Sequence, residues 1–86
     1  MNKMVTIKAI YGTEWCGDCK RSKEFLDKKK IPYTWIDIED DEEAREITMK
    51  LNKGKARVPT IVFDDDSILV EPSNFQLAKK LGIDLE

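Results

Sequence analysis

The stretch Val5-Thr6-Ile7-Lys8-Ala9-Ile10-Tyr11-Gly12-Thr13-Glu14-Trp15-Cys16-Gly17-Asp18-Cys19 decides how the rest of this chain is arranged. Its first half is rich in β-branched and apolar residues, partly alternating, and predicts a strand over Val5–Tyr11 closed by Gly12. From Cys16 the periodicity changes. Cys19, Phe25 and Leu26, with the small Ser22, fall on one face of a helix running to about Lys30, and Lys or Arg fills much of the remainder. Lys28, Lys29 and Lys30 suit the negative end of the helix dipole, and Pro32 stops continuation. The two cysteines therefore sit where a strand hands over to a helix.

Working outward, Tyr33–Ile38 reads as a second strand. The acidic run Glu39–Glu43 then suits a helix N-terminus, with Ala44, Ile47, Thr48 and Leu51 as the expected buried stripe and Asn52-Lys53-Gly54 as the end. Thr60–Phe63 and Ser67–Val70 flank Asp64-Asp65-Asp66, a spacer short enough for an antiparallel hairpin. Pro72-Ser73-Asn74 opens a last helix expected to carry Phe75, Leu77, Ala78 and Leu81. The order is strand, helix, strand, helix, strand, strand, helix, with no repeat or linker. It predicts one α/β domain over residues 1–86, with a four-stranded mixed sheet and helices on both faces.

A chain of 86 residues, 41% hydrophobic and 37% charged, can bury a core, though a modest one. Fifteen basic against 17 acidic residues leave a net charge of -2, too small and too mixed to point to nucleic acid or an anionic membrane as partner. No stretch approaches the roughly 20 apolar residues of a membrane span, and Met1-Asn2-Lys3-Met4 leads into the first strand without a signal-peptide core. A cytoplasmic monomer is the expectation.

Cys16 and Cys19 are the whole cysteine inventory, and in a reducing compartment such a pair is a redox or metal device more often than a staple. Cys16 is expected to be the exposed thiol, its thiolate favoured by the unpaired N–H groups of the first helical turn. Cys19, one turn further on, is within reach of a mixed disulfide formed on Cys16. Asp18 opposes a neighbouring thiolate, while Lys20 and Arg21 favour it. A purely structural role suits Cys19 on the apolar face but not Cys16 at the helix start. Structural zinc takes four ligands, whereas the chain offers two cysteines and no histidine, so neither metal nor tightly bound organic cofactor is expected.

A second signal is Val58-Pro59-Thr60 at the start of a strand, where a proline cannot donate to the sheet ladder. Trp15-Cys16-Gly17-Asp18-Cys19 followed by Val58-Pro59-Thr60 resembles the thioredoxin superfamily, and the short length resembles glutaredoxins. Asp37-Ile38-Glu39, Asn52-x-Gly54, Phe63 and Pro72-Ser73 are, with these, similar to the mycoredoxin-like branch of that family. The resemblance implies a thioredoxin-like fold and the corresponding strand order. It further implies Cys16 as nucleophile, Cys19 as resolving thiol, Pro59 as a cis-proline and Val58 as a backbone contact for the thiol substrate.

The motif departs from the usual Cys-Pro-Tyr-Cys, and Glu71-Pro72-Ser73-Asn74 stands where glutaredoxins carry Gly-Gly and Asp. Ser73 and Asn74 still present a helix N-terminus to a carboxylate, and Arg57 can pair with another, so a low-molecular-weight thiol, glutathione or an analogue, is the expected co-substrate. On a plainer account Ser73 is an N-cap and Arg57 a solvated charge. Trp15 beside the motif is a further candidate for substrate packing. Together these features point to a thiol-disulfide oxidoreductase acting on protein disulfides or on mixed disulfides with a small thiol. The alternatives are a thioredoxin-like donor reduced by a flavoprotein reductase, or a non-enzymatic interaction or metal-bridging module.

Overall fold

Strand β1 (Ile7–Gly12) is the centre of the sheet because its alternate side chains are apolar on both faces. The computed structural model describes residues 5–85, so the expectation for Met1–Met4 lies outside the described residues. β1 pairs in parallel with β2 (Trp35–Asp37), Ile10 opposite Trp35 and Gly12 opposite Asp37. On its other edge it runs antiparallel to β3 (Thr60–Phe63), which in turn pairs with β4 (Ile68–Val70). The order β2-β1-β3-β4 is the mixed four-stranded sheet expected, and the β1-to-β2 crossover is made by α1 (Gly17–Lys28). Asp66, at φ 69°, lets the chain turn between β3 and β4, a conformation Asp tolerates better than most residues.

A register irregularity between Ile7 and Ala9 lets Ile7 and Ile10, three apart, reach the same core. There they meet Ile61 and Phe63 of β3, Phe25 and Leu26 of α1, and Leu77, Ala78 and Leu81 of α3 (Asn74–Leu81). Helix α2 (Glu42–Leu51) covers the opposite face. Asn52, at its end, donates to the Thr60 hydroxyl, whose side chain alternates with Ile61 and Phe63 along β3.

Two expectations about helix faces are corrected here. Only Ala44 and Thr48 of α2 are buried, whereas Ile47 and Leu51 are each 39% exposed. Small residues one turn apart bring the helix backbone close to the sheet, and the Thr48 hydroxyl donates to the Ala44 carbonyl at 2.9 Å, so the contact is a narrow line with its larger apolar residues on the flank. Phe75 is likewise 62% exposed. Leu77, Ala78 and Leu81 define the buried stripe of α3, and Phe75 projects well off its centre. Ser73 caps α3 in a reciprocal capping box with Gln76, and Gly82, at φ 70°, closes it in the left-handed conformation.

Candidate active site

The chain leaves β1 through Gly12 and Thr13 and enters α1 with Cys16 as the N-cap residue. The cap fixes the site. The Cys16 sulfur accepts the backbone N–H of Cys19 at 3.1 Å, the place where a Ser or Asp oxygen ordinarily satisfies a helix N-terminus. Across from it lies the segment before β3, where the Val58–Pro59 bond is cis and the Val58 carbonyl stands 3.8 Å from the Cys16 sulfur. The two signals picked from sequence therefore meet in space, although about forty residues separate them.

Cys16 is not the exposed thiol expected: it is only 9% accessible. The cap geometry turns its side chain inward toward Cys19 N and the Val58 carbonyl rather than outward. Cys19 is deeper still, 1% exposed, and burial, assisted by the hydrogen bond with Cys16, pushes its thiol up to about 12. Both cysteines are free thiols. The pair is thus asymmetric: one sulfur at the helix mouth, one held protonated behind it.

Asp18 does not act on Cys16 as a lone opposing charge. Its carboxylate pairs with the Arg21 guanidinium at 2.8 Å, and Arg21 also donates to the Pro72 carbonyl at 3.2 Å, tying α1 to the segment before α3. Trp15 is 70% exposed at the rim, anchored through its Nε1–H to the Glu39 carboxylate at 2.9 Å. Arg57 is exposed, with the Glu71 carboxylate at 3.9 Å, and with Lys53, Lys55, Leu51, Asn52 and Val70 it lines a cleft of about 480 Å³. The Ser73 hydroxyl accepts the Gln76 N–H and is occupied by its helix cap; Asn74 is half-buried, its side-chain oxygen without a partner among the described residues.

Sequence reasoning missed the surroundings of Cys19. A second cleft, about 330 Å³, is lined by Thr13, Glu14, Cys19, Lys20, Lys23, Glu24 and Asp27. Trp35, treated only as a strand residue, packs its ring edge over Gly12 beside the Cys19 sulfur. The available signal was the pairing of a glycine inside a strand with a large aromatic on the neighbouring strand. Among the described residues no group of three or more acidic, His or Cys side chains is clustered to hold a metal ion, and no helix is long and apolar enough to cross a membrane.

Residues 9–68 match the Glutaredoxin family. A Mycobacterium tuberculosis protein carrying the glutaredoxin name is 42% identical over 72 residues, covering 84% of this chain and 86% of that one. Mycoredoxin 1 of Corynebacterium glutamicum is 33% identical over 72 residues, covering 84% and 89% respectively. The crystal structure of the thioredoxin-like protein BC3987 superposes with a TM-score of 0.75 at 25% identity, covering 88% of this chain and all of that one.

Proposed function

The chain belongs to the glutaredoxin family of thiol-disulfide oxidoreductases, and from that premise we propose that Cys16 and Cys19 reduce protein disulfides or mixed disulfides between a protein and a low-molecular-weight thiol. The observation that carries this reading is the Cys16 sulfur serving as the N-cap of α1 opposite the Val58 carbonyl. An N-cap atom faces the N–H groups of the first helical turn, which places the Cys16 sulfur at the mouth of α1 beside the segment a substrate would lie against.

Cys16 thiolate attacks the disulfide R–S–S–R′, forming Cys16–S–S–R and releasing R′S⁻. A small thiol R″SH then attacks the sulfur bearing R and leaves as the disulfide R–S–S–R″, freeing the Cys16 thiolate, or Cys19 loses its proton, attacks the Cys16 sulfur and releases RSH. In the second case two equivalents of thiol, or a reductase, restore the dithiol. The Val58 backbone and Pro59 form the wall against which the substrate sulfur lies, Trp15 the apolar rim, and Arg57 the charge for a substrate carboxylate. Ser73 and Asn74 contribute the N-terminus of α3 rather than a free hydroxyl, because the Ser73 oxygen is committed to Gln76. No resident metal or organic cofactor enters this scheme.

The test is turnover of mixed disulfides between a reporter and glutathione or other small thiols, by wild type, Cys16→Ser and Cys19→Ser. Loss with Cys16→Ser and retention with Cys19→Ser is the expected result, and the preferred thiol identifies the co-substrate. Inactivity of wild type on these, with reduction of protein disulfides that requires both cysteines, assigns a thioredoxin-like donor instead. Inactivity on both classes overturns the proposal.

A further inference from the structure

Gly12 is the last residue of β1, opposite Asp37, and its carbonyl accepts the Ile38 N–H at 3.0 Å. Its φ lies outside the left-handed region, so backbone conformation does not require glycine. Glycine within a strand costs about 0.5–1 kcal/mol relative to alanine, so its presence needs another reason. Space is that reason. A Cβ at this position would stand 2.5 Å from Trp35 Cη2, 2.8 Å from Trp35 Cζ3 and 2.7 Å from the Cys19 sulfur. The indole edge and the sulfur share the volume directly over the Gly12 Cα.

The ring is also held at its face. Lys23, one turn beyond Cys19 on α1, places its ammonium 3.9 Å from the centroid of the Trp35 ring. Trp35 Nε1 is buried without a hydrogen-bond partner among the described residues, so packing and the cation, not a hydrogen bond, set the ring's position. The missing side chain of β1 and the indole edge of β2 thus meet at one sulfur, and α1 backs the indole through Lys23.

We propose that Gly12, Trp35 and Lys23 form a socket that positions Cys19 for resolution, with Trp35 as the positioning residue; this rests on the reading of Cys19 as the resolving thiol. The step concerned converts Cys16–S–S–R and Cys19–SH into the Cys16–S–S–Cys19 disulfide and RSH. The bond to R breaks, the bond between the cysteines forms, and the Cys19 proton passes through solvent to the departing thiolate. In the dithiol the Cys19 sulfur occupies the socket over Gly12; under this proposal it leaves that position as the bond to Cys16 closes to about 2.05 Å. A methyl group at position 12 therefore penalises the dithiol more than the disulfide.

Equilibration of the whole chain with dithiothreitol and its cyclic disulfide measures this directly. Gly12→Ala is expected to shift the equilibrium toward the Cys16–Cys19 disulfide by about tenfold, and adding Trp35→Phe, which removes the crowding ring edge, to return it within about threefold of wild type. A folded Gly12→Ala chain whose equilibrium moves by less than about twofold, or a shift that Trp35→Phe does not reverse, overturns the proposal. Should Gly12→Ala fail to fold, the Trp15→Phe chain decides, because Trp35 is then its sole indole. Its emission is expected to shift when the disulfide forms, and an unchanged spectrum overturns the socket. These readouts use only the chain's own cysteines and dithiothreitol, so they stand apart from the mixed-disulfide assay, which decides the activity itself.

Discussion

The backbone N–H of Cys19 donates to the Cys16 sulfur across 3.1 Å, while the thiol of Cys19 is buried and pushed up to about 12. Cys19 therefore donates its backbone N–H to its partner's sulfur and keeps its own thiol proton. Reactivity is expected to be confined to Cys16 near neutral pH. In a Cys16→Ser chain, alkylation of Cys19 by iodoacetamide at about pH 7.5 should run about a hundredfold slower than for a free cysteine, and unfolding in urea should restore the ordinary rate. Intact-mass measurement over time reads both.

The same burial links stability to alkaline pH. The Cys19 thiol rises from 9.0 to about 12 in the fold, so below pH 9 folded and unfolded chains both hold its proton. Above that the unfolded chain releases it first, and stability is lost progressively toward pH 12, with a slope of at most about 1.4 kcal/mol per pH unit. Tyr33, raised from 10.0 to about 12 by burial and its hydrogen bond to Asp27, adds a loss of the same sign beginning one unit higher. Urea titrations from pH 8 to about 11 should show the decline, with Cys19→Ala flattening its onset and Tyr33→Phe its later part.

Two phenylalanines that look equally apolar in sequence should separate sharply. Phe63 is fully buried between α1 and α3, and Phe63→Ala is expected to cost about 3–5 kcal/mol, enough to unfold much of a domain this small. Phe75 is 62% exposed, and Phe75→Ala should change the denaturation midpoint by less than about 0.5 kcal/mol equivalent.

Ser73→Ala removes one half of the α3 capping box and is expected to cost about 1 kcal/mol, largely recovered by Ser73→Asp. Chemical denaturation monitored by circular dichroism decides it.

Arg57→Gln should raise the KM for mixed disulfides of an anionic small thiol about three- to tenfold with kcat nearly unchanged, because an exposed charge beside Val58 contributes binding and not chemistry. A fall in kcat at constant KM would assign Arg57 to the reacting centre instead.

By itself the sequence determined the order of the elements and the place of the cysteines. Alternation in Ile7–Tyr11, the helical spacing of Cys19, Ser22 and Leu26, and the Asp64–Asp66 turn are local properties, set by backbone periodicity and turn chemistry within a few residues. The capping of α3 by Ser73 was legible for the same reason. Only the tertiary structure decided which apolar residues face inward and what surrounds each sulfur. Ile47, Leu51 and Phe75 are apolar at helical spacing yet exposed, because the line of contact between a short helix and a sheet is narrower than the helix's apolar face. Cys16 is covered, and Cys19 rests beside the Trp35 ring edge over Gly12, because β1, β2, α1 and the Val58–Pro59 segment converge from distant parts of the chain. Such an environment is a sum over close contacts between residues far apart in sequence, and no local pattern encodes it.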